Sequence, residues 1–394
     1  MLFRSLGSGK AGKVIPRLMK TLGADAVYWN RRYEPAVIKR DTDLKAALKD
    51  ADYEVHSFNG SLLFEPHEIS NKAGKPFQVF TPFWRHTSAL EMPTPTPFNA
   101  KGLAACAPDA GLRAKAEKAS TSLDKLGLLP KVRWDHGLAE AWEPTEKAAH
   151  QRLREFLRKS VSQYGDNRNR PDEDGTSRLS PYLHHGQLSP RQIMAAAAED
   201  APGGQRGAAK FLAEVGWREF SYHLLYHFPH VVEKPLRPEY EAFPWEPDDD
   251  ALHAWQQGQT GYPIVDAGMR QLYATGWMHN RVRMVVASLL VKHLLQPWQL
   301  GAAWFWDTLV DADLASNTQG WQWAAGCGAD AAPYFRIFNP MTQGTKFDPQ
   351  GTYVRTWVPE LAGLDAPHIH QPWEAPEAEL RMAGITLGKT YPNP

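Results

Sequence analysis

The sequence predicts two unlike parts: an incomplete, Rossmann-like α/β domain at the N-terminus and a large all-helical domain after it. Short apolar runs and helical patterns alternate over residues 1–80. A segment rich in Pro and Ala follows over 81–144, and its repeated Pro-Thr favours extended chain. From residue 145 onward, apolar residues recur mostly at helical spacing. We therefore expect an α/β domain over 1–80, a connector over 81–144 and a helical domain over 145–394.

The α/β part has too few strands for a complete doubly wound sheet. Apolar runs at Ala26–Trp29 and Tyr53–Phe58 predict strands, and Ala36–Leu48 between them predicts a helix. An earlier helix is expected to end at Leu22, before Gly23. A doubly wound sheet usually has about five strands or more, whereas the pattern shows about three. We expect a domain truncated at its N-terminus, whose sheet exposes a strand edge and apolar surface.

Two helix starts in the later part are marked by capping residues. Thr145 lies between a proline and a glutamate and precedes an amphipathic run, so it predicts a helix start. Ser189 followed by Pro190 predicts another, with Ser as the N-cap and Pro at the first helical position. From there to about residue 340 nearly the whole chain is predicted to be helical.

Composition limits the classes of function. Lys and Arg number 44, as do Asp and Glu, so binding of nucleic acid would need a local basic patch. The two cysteines, Cys106 and Cys327, are too few for a disulfide framework and fit a reducing cytoplasm. We find no membrane span, secretion signal, metal-ligand spacing, nucleophile elbow or P-loop. We expect a cytoplasmic monomer with no membrane association and no metal.

Tryptophan is the unusual residue of this sequence, with 15 copies. An indole is large, and its N–H needs a hydrogen-bond partner when buried. A well-packed helical core is one explanation. Aromatic stacking surfaces or electron relays are the alternatives.

The segment Ala213–His223 carries the first polar stripe on a predicted helix. Glu214, Trp217, Arg218 and Ser221 recur at i, i+3, i+4 and i+7, so they share one face. A solvated Glu214–Arg218 pair is one interpretation. The wall of a polar pocket is the other, since Trp217 lies between the two charges.

A second stripe repeats the design. Trp277, Asn280, Arg281 and Met284 have the same spacing. Two helices that each present an aromatic ring, a polar group and an arginine predict two walls of one cavity. Such a cavity could stack a planar ligand and bind its polar edge.

A third stripe, Asp313, Asn317 and Trp321, is spaced by four residues. Asp311 and Asp313 need cations or N–H donors if they are buried, and Arg283 is a candidate partner for Asp311. The alternative is a surface helix with one of these aspartates as its N-cap.

The segment Gly175–Ser180, GTSRLS, precedes a predicted helix. Free N–H groups at a helix start, together with its hydroxyls, suit a phosphate. A plain N-cap is the alternative.

These motifs, taken together, resemble the photolyase/cryptochrome family. The resemblance rests on TGYPIVDAGMRQL (260–272), GWMHNRVRM (276–284), DADLASNTQGWQWAAG (311–326) and DAAPYFRIFNP (330–340). GTSRLSPYL (175–183) and GWREF (216–220) extend it, so that it covers most of 145–365 in consistent order. It implies a helical domain that binds FAD and repairs UV-damaged DNA. In the family, excited reduced flavin donates an electron to a flipped-out cyclobutane pyrimidine dimer, the ring splits and the electron returns.

The resemblance also implies roles for individual residues. Positions that match catalytic or electron-relay residues are Trp245, Trp298, Trp321, Glu214, Asn280 and Asn317. Positions that match residues around FAD are Tyr164, Thr176, Ser177, Arg178, Leu179, Ser180, Glu214, Trp217, Arg218, Asn280, Arg283, Asp311, Asp313 and Asn317. Positions that match residues at the lesion or the DNA backbone are Arg168, Trp217, Arg281, Met284, Trp323 and Arg336. A carboxyl in such an apolar pocket, as Glu214 would be, should have a raised pKa.

Within the family, the resemblance is compatible with three activities. Repair of cyclobutane dimers is favoured by Asn317 and by the residues that match the dimer pocket of the family: Glu214, Trp217, Asn280, Met284 and Trp323. A cryptochrome-type photoreceptor is the alternative, and relatives of that kind usually carry Asp or Cys where Asn317 stands. A six-four photolyase is weaker, because no histidine pair beside the lesion is evident.

An antenna chromophore, methenyltetrahydrofolate or a deazaflavin, is doubtful. Tyr33 and Glu34 resemble residues near it, but the first strands of its domain are missing.

Overall fold

A computed structural model describes residues 5–97, 99, 101–102, 108–200, 205–331, 337–366 and 368–394. The strands are β1 (Ala26–Asn30) and β2 (Glu54–Phe58). The α-helices, in chain order, are α1 (Ala11–Leu22), α2 (Pro35–Asp50), α3 (Phe80–Thr87), α4 (Ala110–Ala119), α5 (His136–Ala141), α6 (Glu146–Lys159), α7 (Tyr164–Asn167), α8 (Ser180–His184), α9 (Pro190–Asp200), α10 (Gln205–His227), α11 (Asp249–Gln257), α12 (Pro263–Thr275), α13 (Asn280–Ser288), α14 (Trp298–Thr308), α15 (Leu314–Ala325), α16 (Pro340–Phe347), α17 (Thr352–Trp357) and α18 (Glu377–Met382). A π-helical turn, Leu289–His293, extends α13. Short 3₁₀ turns are Pro66–Glu68, Asp124–Leu126, Val161–Gln163, Pro229–Val232, Pro238–Tyr240, Pro359–Leu361, His368–His370 and Pro372–Glu374.

The α/β part is one βαβ unit. Strands β1 and β2 pair in parallel, with Ala26 opposite Glu54, and α2 makes the crossover that a parallel pair requires. Met19, Leu44 and Val55 are buried between the sheet and helices α1 and α2. Among the described residues the sheet has two strands, fewer than the three or so that the pattern indicated.

The other face of this sheet is open. Tyr28 is 61% exposed and Phe58 is 52% exposed. The rings of Tyr28 and His56, on register-paired positions of the two strands, stack with centroids 5.0 Å apart. This is the exposed apolar surface expected from a sheet of so few strands.

Both predicted helix starts are present. Thr145 is the N-cap of α6 and accepts a hydrogen bond from the amide of Ala148 at 3.1 Å. Ser189 accepts one from the amide of Gln192 at 3.2 Å, and Pro190 is the first residue of α9. Each cap satisfies an amide that the helix itself cannot.

Helices α3, α4 and α5 lie in the connector, where the sequence did not indicate them. Residues 93–97, the Pro-Thr repeat, have no regular secondary structure. Before them, however, α3 packs against α10, and Phe80 and Phe83 are buried there beside Phe220. Aromatic residues on one side of this short helix explain why it forms: they are buried against the longer one.

The main hydrophobic core lies in the helical part. It is formed by residues of α11 to α17 and extends to the C-terminal segment. Helix α15 packs against α10, α13 and α14, and this position brings α10 and α13 to the same central helix. Of the helices that the structure describes, none is both long and apolar enough to cross a membrane.

Candidate functional site

Two consecutive loop residues connect the two predicted stripes. Arg168 forms an ion pair with Glu214 on α10. The side-chain oxygen of Asn169 accepts a hydrogen bond from Nη2 of Arg281 on α13 at 2.7 Å. Because successive Cα atoms are only about 3.8 Å apart, this loop brings the two stripes together as walls of one site.

The first stripe lies on α10, but its charges pair differently from the simple i,i+4 expectation. Glu214 pairs with Arg168 and not with Arg218. Arg218 instead donates to the carbonyl of Ser61 in the N-terminal part at 2.8 Å and lies 4.8 Å from the ring of Tyr222. The interpretation as a solvated Glu214–Arg218 pair is therefore wrong. Partners from distant segments outweigh an i,i+4 contact, which would stabilise the helix by only about 0.2–0.5 kcal/mol.

The second stripe is only partly helical. Helix α13 begins at Asn280, so Trp277 lies before it and does not share its face. His279 is the N-cap of α13, and its side-chain Nδ1 accepts a hydrogen bond from the amide of Arg281. Arg178 lies over the ring of Trp277 at 4.8 Å, a cation–π contact. The sequence therefore predicted a helix that includes Trp277, whereas the observed helix begins three residues later, at Asn280.

Within this segment, Asn280 is exposed and Met284 is half-buried. Arg281 also lies 4.5 Å from the ring of Phe347. The side chains of Asn280 and Met284 are therefore not fully covered by the described residues.

The predicted partnership of Arg283 with Asp311 is present. Nη2 of Arg283 lies 2.9 Å from Oδ2 of Asp311, and the hydroxyl of Ser180 donates to the same oxygen at 2.5 Å. Helices α8 and α13 thus meet at one buried carboxylate. A buried charge needs such partners to be stable.

Asp313 is held by a second set of partners. It is the N-cap of α15 and accepts from the amide of Ser316 at 2.8 Å, so the predicted capping role is present. The hydroxyl of Tyr222 donates to it, and Nδ1 of His184 lies 3.8 Å away. Burial alone would raise the pKa of Asp313, but these hydrogen bonds and the charge of Arg218 outweigh it and lower the pKa to about 2.

The hydroxyl-rich loop precedes α8 and is held by Arg152. Nε of Arg152 donates to the carbonyl of Ser177 at 2.9 Å, and Nη2 donates to that of Thr176 at 2.8 Å. Leu179, which follows, is buried, and Ser180 opens α8. With the carbonyls occupied by Arg152, the hydroxyls of Thr176 and Ser177 remain half-buried and available as donors.

Tyr164 and Asn317 complete the predicted cofactor set. Tyr164 is buried against Phe156 and Phe211, and Arg168 lies 5.6 Å from its ring. The amide nitrogen of Asn317 donates to the carbonyl of Ala302 at 2.9 Å. That bond leaves the oxygen of this amide as the group that can accept from a ligand.

The candidate relay tryptophans are not in direct ring contact. Trp298 and Trp321 are buried and Trp245 is half-buried. The aromatic rings in contact with Trp321 are Phe305, at 5.0 Å, and Trp255, at 6.1 Å. Among the described residues, no ring contact joins Trp321 to either of the other two.

Trp323, which was predicted at the lesion, is half-buried, with its ring stacked on Phe338 at 6.3 Å. Arg336, also predicted at the DNA, lies outside the described residues.

A buried histidine marks the positively charged side of the site. Burial, followed by the charges of Arg178, Arg281 and Arg283, lowers the pKa of His279 to about 3, so its ring is neutral. Nδ1 accepts a backbone hydrogen bond, which makes Nε2 the N–H donor. This Nε2 is buried and has no hydrogen-bond partner among the residues that the structure describes.

Family models match both parts of the chain. The DNA photolyase model matches residues 5–100, and the model for the FAD binding domain of DNA photolyase matches residues 211–394. The deoxyribodipyrimidine photo-lyase of Agrobacterium fabrum is 46% identical over 391 residues, which cover 99% of this chain and 80% of that protein. The chain belongs to the DNA photolyase/cryptochrome family. The resemblance inferred from the motifs is confirmed.

Other members of the photolyase/cryptochrome family agree in sequence and in fold. Cryptochrome-2 of Arabidopsis thaliana is 40% identical, over 95% of this chain and 62% of that protein. The crystal structure of a bacterial class III photolyase from Agrobacterium tumefaciens superposes with a TM-score of 0.90 at 43% identity, over 99% of this chain and 80% of that one. The predicted fold class, a small α/β part followed by a large helical FAD-binding part, is confirmed.

The residues present fit FAD. Its diphosphate needs donors and positive charge, and Arg178, Arg281 and the unpartnered Nε2–H of His279 offer both. The hydrogen-bond partner of Arg281 is the neutral Asn169, and no carboxylate among the described residues forms an ion pair with it. Asn317 and the aspartates at the start of α15 offer acceptors for the N–H groups of a flavin ring.

Sequence reasoning missed several residues of this site. Tyr222 and Arg152 hold Asp313 and the hydroxyl-rich loop, and Phe80 stacks on Trp217. Tyr222 had a signal, because it lies one further helical turn along the stripe of Glu214. Arg152 and Phe80 had none, since their contacts come from distant segments.

Proposed function

We propose that this chain is a light-driven DNA repair enzyme that splits cyclobutane pyrimidine dimers and acts as a monomer. The observation that carries the proposal is the loop of Arg168 and Asn169, which joins Glu214 on one wall to Arg281 on the other. An acid, an indole and two arginines then belong to one site, next to the groups that fit FAD. The name and the 46% identity of the Agrobacterium fabrum photo-lyase support this function.

FAD is held in this proposal by three groups of side chains. The hydroxyls of Thr176 and Ser177 and the cationic side with His279 bind its phosphates. Asn317 orients the flavin ring by accepting a hydrogen bond. When bound, reduced FAD supplies the photoexcited electron that opens the cyclobutane ring.

The lesion binds between aromatic walls. Trp217 and Trp323 stack on the flipped-out dimer, and Met284 packs against it. Glu214 lies at the same place, and burial raises its pKa, against the opposing charge of Arg168. A carboxyl with a raised pKa is more often protonated and can then donate a hydrogen bond to a thymine carbonyl. Flipping costs a few kcal/mol, and less at damaged than at intact pairs.

The DNA backbone is bound by local positive charge. Net charge is zero, so attraction has to come from local charge, and this proposal assigns it to Arg168 and Arg281 on the two walls. A guanidinium has five N–H donors, so each arginine can keep its protein partner and still bind a phosphate.

The proposal includes no antenna chromophore. The hydroxyl of Tyr33 donates to Glu65 at 3.1 Å, and Glu34 pairs with Arg32, so both side chains are buried with protein partners. We assign them to the packing of the α/β part. The purified chain should accordingly show flavin absorption bands alone.

A direct assay tests the proposal. The purified, chemically reduced protein is mixed with a single-stranded oligonucleotide that contains one thymine dimer and is illuminated with blue light. Intact thymines should reappear only in the light. Glu214→Gln should repair more slowly, and Glu377→Gln, a substitution on exposed α18, should not.

A cryptochrome-type photoreceptor is the second candidate, because Cryptochrome-2 of Arabidopsis thaliana is also similar to this chain. A photoreceptor of this type should give the opposite result in the same assay. Light would reduce the flavin normally, but no thymine would be restored, and that result would refute the repair function.

A further inference from the structure

A phenylalanine from the connector stacks directly on a wall of the proposed lesion pocket. The ring of Phe80 on α3 lies 3.7 Å from the ring of Trp217 on α10, and the two planes are 10° apart. Phe80 is buried, whereas Trp217 is half-buried. One face of the indole is therefore covered by protein.

Neighbouring residues hold this stack in place. Phe220 meets Trp217 edge-on at 5.9 Å and 71°, and it also meets Phe80 at 6.0 Å. Trp84, one turn further along α3, lies parallel to Phe80 at 6.4 Å. Contacts on one face and one edge leave the indole little freedom to rotate.

A glycine makes the close approach of α3 possible. A Cβ atom at Gly216 would lie 2.4 Å from Cε3 of Trp84, which is far inside van der Waals contact. With any larger residue at this position, Trp84 and the helix that carries it would have to move away from α10. The glycine next to Trp217 thus serves the contact between α3 and the pocket wall.

We infer that Phe80 is a positioning residue for lesion recognition: it holds Trp217 so that the uncovered face of the indole stacks on a flipped-out base. The inference rests on the proposed function, which makes Trp217 a wall of the lesion pocket. An aromatic side chain that is already ordered loses less entropy when a base stacks on it. Without the ring of Phe80, the indole can turn into the space that it leaves.

The inference predicts a loss of affinity for damaged DNA alone. Phe80→Met keeps most of the volume but removes the flat ring. We expect its Kd for a dimer-containing oligonucleotide, measured in the dark, to rise about two- to tenfold, the range for losing one aromatic pair. The Kd for undamaged DNA should not change. Under light, KM should rise while kcat at saturating DNA stays the same.

Matched variants separate positioning from general packing. Phe83→Met alters the same cluster, but Phe83 makes no ring contact with Trp217 among the described residues, so its Kd should equal that of the unchanged chain. Phe80→Tyr keeps the ring and should restore affinity. If Phe80→Met does not fold, Phe80→Leu serves for the same comparison.

The dark measurement distinguishes the two proposals. Tight binding of the dimer without repair in light would refute the proposed function and leave the inference to be decided by the variants. Equal affinity of Phe80→Met and the unchanged chain for the dimer would overturn the inference, whatever the repair rate. A chain that does not distinguish damaged from undamaged DNA would overturn both.

Discussion

The guanidinium of Arg283 donates to both carboxylate oxygens of Asp311, at 3.2 and 2.9 Å, and the side chain of Asp311 is only 2% exposed. Ser180 adds a third hydrogen bond from another helix. This carboxylate therefore ties α8 and α13 to the segment that leads into α15. The proposed FAD site depends on that connection.

Breaking this pair on one side should destabilise the chain and weaken FAD binding. Arg283→Met leaves a buried carboxylate with only Ser180, and we expect the free energy of unfolding to fall by about 3–5 kcal/mol. The ratio of flavin to protein absorbance after purification should fall as well. Denaturant unfolding measures the first effect, and the absorption spectrum measures the second.

A double variant separates stability from binding. Arg283→Met with Asp311→Leu removes both charges, and such replacements are often neutral or stabilising. Most of the free energy of unfolding should return, while FAD binding should not. Recovery of both would show that the pair does not contribute to the flavin site.

Arg168 should contribute to DNA binding in a salt-dependent way. For Arg168→Gln we expect weaker binding of single-stranded DNA, and the slope of log K against log salt should become shallower by about 0.7, the value for one phosphate contact. Titrations at several salt concentrations measure this. Arg381→Gln, on exposed α18, is the control and should keep the full slope.

Glu219 should make stability depend on pH. Its carboxylate is buried and accepts from the amide of Leu63 at 2.8 Å. Burial, opposed by Arg218 and backbone N–H groups, raises its pKa from 4.5 to about 7. Between those two values the folded state holds a proton that the unfolded state releases, so the contribution of Glu219 to the free energy of unfolding falls as pH rises.

The pKa shift of Glu219 also sets the expected size of this pH effect. The difference between the two pKa values corresponds to about 3 kcal/mol, and the fall should end near pH 7, above which both states are ionised. Glu219→Gln keeps an acceptor for the amide of Leu63 and should remove this falling contribution, so that the slope of the free energy of unfolding against pH becomes more positive than in the unchanged chain. Glu377→Gln should not alter it, and an unchanged slope in Glu219→Gln would contradict the assignment.

Trp321 should be needed for reduction of the flavin by light and not for repair itself. In Trp321→Phe, photoreduction measured by absorbance should be lost, because the buried indole is the proposed donor. The same variant, reduced chemically, should still repair dimers. Trp373→Phe changes an indole that contacts Tyr262 elsewhere and should photoreduce normally. Normal photoreduction in Trp321→Phe would instead point to another donor, such as Trp255.

Local signals in the sequence predicted a good part of this molecule. Thr145 and Ser189 begin helices because their side chains satisfy backbone amides within the next three residues. The pairing of Arg283 with Asp311 was also predicted, because a buried aspartate needs a cation or N–H donors. Motif order over most of 145–365 was enough to identify the family.

Local reasoning failed where a distant segment supplied a better partner. Glu214 and Arg218 have ideal spacing for a pair, yet each binds a residue from another segment. Trp277 has the spacing of a helix face, but His279 caps α13 after it.

What the sequence determined by itself is the family, the helical nature of residues 145–394 and the types of side chain that line the site. The tertiary structure alone decided which of them meet: Arg168 with Glu214, Asn169 with Arg281, and Phe80 with Trp217. The physical reason is that capping and helical periodicity act over a few neighbouring residues, whereas these contacts form only when segments far apart in the chain are buried against one another.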